Sequence, residues 1–306
     1  MEKTITIFTI PKAFIREHIK TIQTNAIKSW RALGFGLEVI LIGDDKGVEQ
    51  VARELKVKHI SNVKRNKLGT PLLDSAFSLV REKAKSNILC YVNSDIIFFS
   101  DFLKIFKFLP REEFLIVGRR WNIDIEKKIN FENKNWEKLL KKKIKKIGRI
   151  CGGGGSDYFI FKKNSFKDFP GFAVGRVKWD NWMIYEALRK KMLVIDATEI
   201  NPIVHQNHDY SHQINRGRRR TENIEAKENI KLTKKMKHIF TLKDVRWKLT
   251  KAELKKKNFT FNTFLRYLKY FKDNPEILPR NVGSCKFLNW TAIKLYWFFW
   301  RLNLRV

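Results

Sequence analysis

Hydrophobic positions recur with two periods along the first two thirds of the chain. Residues 4–10 form an apolar, β-branched run closed by Pro11, which predicts a strand ended by a turn. Phe14, Ile15, Ile19, Ile22, Ile27, Trp30 and Leu33 then fall at helical spacing. The alternation repeats: a strand over residues 37–42 closed by Gly43-Asp44-Asp45, a helix over 48–55, a short strand over 57–60, a helix over 71–84 and a buried strand over 87–92. Strands that are apolar throughout and interleaved with helices predict an α/β fold built on a doubly wound, mostly parallel sheet. Near Gln213 this rhythm gives way to a basic, helix-prone segment. The expected organisation is therefore a first domain over residues 1–212 and a basic, mainly helical C-terminal extension over 213–306.

Charge sharpens that division. The 306 residues carry 63 Lys and Arg against 31 Asp and Glu, a formal net charge of +32. Residues 1–150 hold 31 basic and 17 acidic groups, residues 151–212 hold 8 and 7, and residues 213–306 hold 24 and 7. Such an excess predicts an anionic partner. Three well-separated cysteines without a CxxC pair argue against a disulfide scaffold or a cysteine zinc site. The start lacks a basic segment followed by an apolar leader, and no stretch reaches the length of a membrane span, so a cytoplasmic protein is expected.

Four segments carry candidate chemistry. An open α/β sheet binds ligands beyond the carboxyl ends of its strands. There the buried run 88–92 stops in Asn93-Ser94-Asp95 and resumes as Ile96-Ile97. A carboxylate in such a turn can hold a divalent cation on phosphates, although Asn, Ser and Asp also favour plain turns. Gly152 to Gly155 expose backbone N–H groups and run directly into Ser156-Asp157 and an apolar strand. Trp179-Asp180-Asn181-Trp182 heads an apolar helix, which places Asp180 at a helix N-terminus between two indoles suited to a sugar-binding wall. Finally, His205, His208 and His212 follow an apolar run beside Asp209, a donor set that suits a transition metal or phosphate.

In this order the segments resemble a nucleotide-sugar-dependent glycosyltransferase of the GT-A fold, over about residues 4–212. The resemblance implies that Asn93-Ser94-Asp95 stands for the family's DxD motif, with Asn93 in place of the first Asp. Asp95 and His205 or His208 would then hold Mn2+ or Mg2+. It implies donor contacts from Thr9, Asp44, Asn66, Lys67 and Arg119, the segment Asn66-Lys67-Leu68-Gly69 matching an Asn-x-x-Gly stretch of inverting members. Gly153, Gly154, Gly155, Asp157, Trp179 and Trp182 would form the acceptor side. Asp180 would be the general base of an inverting transfer, with Trp179 where the family often has Glu. The implied partners are a nucleotide sugar and a saccharide or lipid-linked acceptor.

Two other classes compete. A nucleotidyltransferase can share the sheet and the metal carboxylate, but its glycine- and lysine-bearing signature is reduced here to Ile10-Pro11-Lys12. A nucleic-acid-binding protein would account for the charge, but the basic residues avoid the acidic, aromatic block and no RRM, KH or zinc-finger pattern occurs, so nucleic acid is not the expected partner. The last twenty residues interleave Trp, Phe and Leu with Lys294, Arg301 and Arg305. That composition fits either an interfacial helix on an anionic membrane or a terminal helix packed on the domain.

Overall fold

The structure is a computed structural model that describes residues 4–34, 36–208 and 223–277. The expected alternation is present as β1 (Ile5–Thr9), α1 (Glu17–Arg31), β2 (Leu37–Ile42), α2 (Val48–Glu54), β3 (Lys58–Ile60), α3 (Leu73–Lys83) and β4 (Ile88–Val92). Then follow β5 (Ile96–Ile97), a 3-10 helix (Ser100–Phe108), β6 (Phe114–Ile123), α4 (Trp136–Ile147), β7 (Arg149–Ile150), β8 (Ser156–Lys162), α5 (Trp179–Arg189), β9 (Leu193–Asp196) and β10 (Ile203–Gln206). The last described elements are α6 (Ile224–Leu232), β11 (Trp247–Leu249), β12 (Leu254–Lys256) and α7 (Phe261–Asp273).

The main sheet runs β12-β11-β9-β6-β8-β4-β1-β2-β3. Its pairings are parallel except where β8 lies antiparallel between β4 and β6 and where β12 pairs with β11. Strand alternation divides the side chains between two cores. Phe8, Leu89, Tyr91, Leu115, Val117, Phe159 and Phe161 face α3 and α5, whereas Ile5, Ile7, Cys90, Val92, Phe114, Ile116, Tyr158 and Ile160 face α1 and α2. Helices therefore cover both faces, which is why these strands read as continuously apolar. On one face Phe77 of α3 stacks on Phe161 of β8, with centroids 5.5 Å apart.

A smaller sheet branches from the long strand β6. There β10 pairs parallel to β6 and antiparallel to β5, and β7 pairs antiparallel to β6. Leu140 and Ile144 of α4 pack on its back, against Ile97, Ile123 and Val204.

The boundary expected near Gln213 lies outside the described residues. The segment that follows carries helices α6 and α7, but it also sends β11 onto β9 and β12 onto β11. It thus packs onto the same sheet and adds two strands to the expected helices. These strands, Trp-Lys-Leu and Leu-Lys-Lys, are too short and lysine-rich to show a strand pattern in the sequence.

Candidate active site

A cavity of about 480 Å³ opens at the carboxyl ends of β1 and β4. Its wall includes residues 10–13 after β1, Asn93, Ser94 and Asp95 after β4, Ser156 and Asp157 at the start of β8, Trp179 and Asp180 of α5, and His205 and His208. Because β8 runs antiparallel, its amino end arrives where its neighbours' carboxyl ends finish. That topology brings Asp157 to Asn93: the Asn93 Nδ2 donates to Asp157 Oδ1 at 2.7 Å, and the Asn93 backbone N–H donates to the Asp157 carbonyl at 3.0 Å.

Asp95, His205 and His208 form one cluster, with a ligand atom from each within 4.8 Å of the others. The Asp95 Oδ2 lies 3.0 Å from His208 Nε2 and 3.5 Å from His205 Nε2. Burial opposes charge on Asp95, but the imidazoles, His205 first, outweigh it and hold the carboxyl well below its ordinary range. The Asp95 Oδ1 is buried without a hydrogen-bond partner. Buried polar atoms are nearly always satisfied, so this orphan, on a carboxylate whose other oxygen faces two imidazoles, fits a divalent ion held by carboxylate oxygen and two nitrogens. Both histidines thus join the cluster. His212 and Asp209 lie outside the described residues.

Asp180 sits in the first turn of α5 and is half-buried. The residue before the helix, Lys178, has φ +84°, a left-handed conformation costly for a side chain and common at functional turns. Burial, then the negative charge of Asp157, pushes Asp180 up to about 6 against backbone hydrogen bonds and the positive charge of Arg120. Trp179 is fixed edge-on against Tyr91 of β4, with centroids 5.1 Å apart and planes at 80°.

Several expected residues take other places. Thr9 is fully buried, and the cavity wall begins only at Ile10. Arg119 lies off the wall and its successor Arg120 lines it, donating to both carboxylate oxygens of Asp157 at 2.5 Å. The cause is a register shift between Val117 and Arg119 in the β6–β8 pairing, which breaks simple alternation. Asn66 also lies off the wall. Its Oδ1 accepts from Leu68 and Thr70 backbone N–H groups, and its Nδ2 donates to Glu225 Oε1 at 2.6 Å, so it shapes the loop. Lys67 is exposed beside it. Asp44 is largely exposed and reaches the cavity only through Arg65, which donates to it and to Asp45.

The glycine run forms a turn away from the wall. Gly155 N–H donates to the Gly152 carbonyl at 3.0 Å, and the Gly153 carbonyl accepts from Leu242. A Cβ on Gly155 would come within 2.4 Å of the Cys151 sulfur, so packing accounts for glycine there. Trp182, one helical turn from Trp179, packs in the core against Phe169 and Phe172. Arg65, Arg120 and Arg176 also line the wall; loops and a bulge carry them, so no periodic pattern in the sequence marks them. Arg176 donates from its Nε to Glu225 at 2.6 Å. Glu225 of α6 thus ties together the two loops that carry Asn66 and Arg176.

No family model matches this sequence, and no curated protein matches it. Among solved structures, glucosyl-3-phosphoglycerate synthase from Mycobacterium tuberculosis in complex with Mg2+ and uridine-diphosphate is similar over 69% of this chain and 74% of that one, at 15% identity and a TM-score of 0.42. S. aureus TarS in complex with UDP-GlcNAc is similar over 70% of this chain and 62% of that one, at 12% identity and a TM-score of 0.42. At such values neither substrate nor residue role carries across.

Proposed function

We propose that the protein is a glycosyltransferase that moves a sugar from a nucleotide-sugar donor to an acceptor hydroxyl, with a divalent cation held by Asp95, His205 and His208. The observation that supports this most is the placing of two acidic groups with opposite proton affinities in one cavity. Asp95, paired with histidines, stays ionised, while Asp180 is raised to about 6. Separated pKa values mark separate roles. Two imidazoles beside one carboxylate favour Mn2+ over Mg2+, which prefers oxygen donors. A cation bound there would neutralise charge on the leaving nucleoside diphosphate.

Asp180 is the general base. Above pH 6 it is a carboxylate able to take the acceptor hydroxyl proton while the acceptor oxygen bonds to the anomeric carbon and the bond to the diphosphate breaks. A single displacement of this kind inverts the anomeric configuration. Arg120, held by Asp157 beside Asn93, presents a fixed positive charge to the donor phosphates. Tyr91 and Trp179 supply an apolar wall.

Calorimetric titration with UDP-, GDP- and CMP-linked sugars, each with manganese and with EDTA, tests the reading. Binding of one donor only in the presence of manganese is expected. Absence of binding to all three in both conditions would overturn it.

A further inference from the structure

Helix α4 separates its residues into two faces. Leu140 and Ile144 point into the small sheet. Glu137 is turned inward, accepting from the backbone N–H and hydroxyl of Ser100 at 2.8 Å each, and Lys141 is tied to Asp101 and Glu137. The opposite face carries Lys138, Lys142, Lys145 and Lys146, all exposed. None of these four forms an ion pair among the described residues, and the helix's one acidic residue, Glu137, borders them but is taken up by Ser100 and Lys141. Leu139 sits within this group at 57% exposure, and Ile147 at the end of the helix is 55% exposed.

A solvated surface helix has no need of large apolar side chains among its lysines. A cationic face with a protruding Leu, ending in an exposed Ile at the rim of the inner stripe, suits a helix lying at a lipid headgroup boundary. The lysines match anionic headgroups in charge, and the apolar residues match the acyl border. A soluble polyanion would use only the lysines.

We infer that the outer face of α4 docks the protein on an anionic phospholipid bilayer. The helix lies on the back of the sheet whose front carries the metal cluster: on β10, Val204 packs under α4 while His205 lines the cavity. Docking through the outer face of α4 therefore holds the cavity away from the membrane surface by the width of the helix and the sheet together. The surface property stands whether or not sugar transfer is the reaction, since vesicle binding involves no donor.

The test uses the full chain and vesicles of pure phosphatidylcholine or of phosphatidylcholine with a third phosphatidylglycerol, in a sedimentation assay. Binding to the anionic vesicles alone is expected. Changing Lys138, Lys142, Lys145 and Lys146 together to Gln should weaken it by roughly a hundredfold. A control variant with Lys28, Lys56, Lys83 and Lys85 changed to Gln removes the same charge from exposed positions in and just after α1, α2 and α3, elements that expose no large apolar side chain, and should bind as wild type. Leu139→Glu should weaken vesicle binding but leave heparin binding within about twofold of the loss expected for one added negative charge. Equal effects of both lysine variants, or none from either, would overturn the docking face. Unchanged vesicle binding by Leu139→Glu, with lysine-dependent heparin binding, would assign the face to a soluble polyanion and also overturn it.

Discussion

The cavity and the back of the small sheet present charge in opposite ways. In front, each cavity arginine is held by carboxylates: Arg65 by Asp44 and Asp45, Arg120 by Asp157, Arg176 by Glu225. Behind, the outer lysines of α4 form no such pairs among the described residues. The difference follows from burial. A half-buried guanidinium without a partner would suffer a large desolvation loss, whereas an ammonium in water suffers almost none. Pairing therefore marks the side where geometry is set before a ligand arrives, and unpaired excess marks the side that acts through its field. It follows that losing one front-side charge disturbs function strongly, and losing several back-side charges leaves the fold alone.

The largest effect is expected at Asp95. Asp95→Ala should lower metal-dependent transfer by roughly a thousandfold, more than loss of an outer-sphere partner costs, and should abolish Mn2+ binding in calorimetry. Retained Mn2+ affinity would remove the cluster from the site.

Asp180→Asn comes next, with a rate loss of roughly a hundredfold or more in steady-state assays. Its stability effect has the opposite sign. The folded pKa of about 6 lies above the ordinary value of 3.8, so the native state loses stability as pH rises between these values. The Asn variant should therefore be more stable than wild type by about 2 kcal/mol at pH 8 and equal to it at pH 3, in denaturant titrations at each pH. A variant less stable at pH 8 would contradict the burial argument. The wild-type rate should likewise fall with acid on a limb near pH 6.

Glu225→Gln should cost about 1 kcal/mol of stability at pH 7, by loosening its ties to Asn66 and Arg176. Glu225 is held below its ordinary range, burial being outweighed by hydrogen bonds from Asn66, Thr70 and Arg176. Its contribution is therefore present above the unfolded pKa and lost as pH falls, and the difference between variant and wild type should shrink in acid. A constant difference from pH 7 to pH 3 would show that charge is not involved. Smallest of all, the four-lysine α4 variant should keep its stability within about 0.5 kcal/mol and keep full activity on any acceptor free in solution.

The parts of this arrangement legible in the sequence were those fixed by local periodicity. The first four strands were readable because Ile5, Ile7 and Phe8, or Leu89, Cys90 and Tyr91, feed two cores at once. Asp95 and the histidines could be expected to meet because each follows an apolar strand and strand ends gather at one edge of the sheet. Arg120 was hidden behind a one-residue irregularity that no pattern announces, and Arg119 took its place in the expectation. The glycine run suggested a ligand cradle, yet a sulfur atom from Cys151 is what excludes a side chain at Gly155. Trp179 and Trp182 looked equivalent in sequence, but three residues of helix place one on the cavity wall and the other in the core. Contacts such as Glu225 with Asn66, separated by 159 positions, belong to tertiary structure alone.

The antiparallel course of β8 has a consequence for how this chain can vary. The backbone leaves the cavity along β6 and comes back to it at Ser156, with Arg119 and Ser156 directly paired. Everything between is a detour whose two ends are already side by side. Lengthening such a detour raises the entropy of closure only logarithmically, by about 0.6 kcal/mol for each doubling. The loops within residues 124–155 are therefore cheap to lengthen, while α4 among them is held in place because Leu140 and Ile144 back the small sheet.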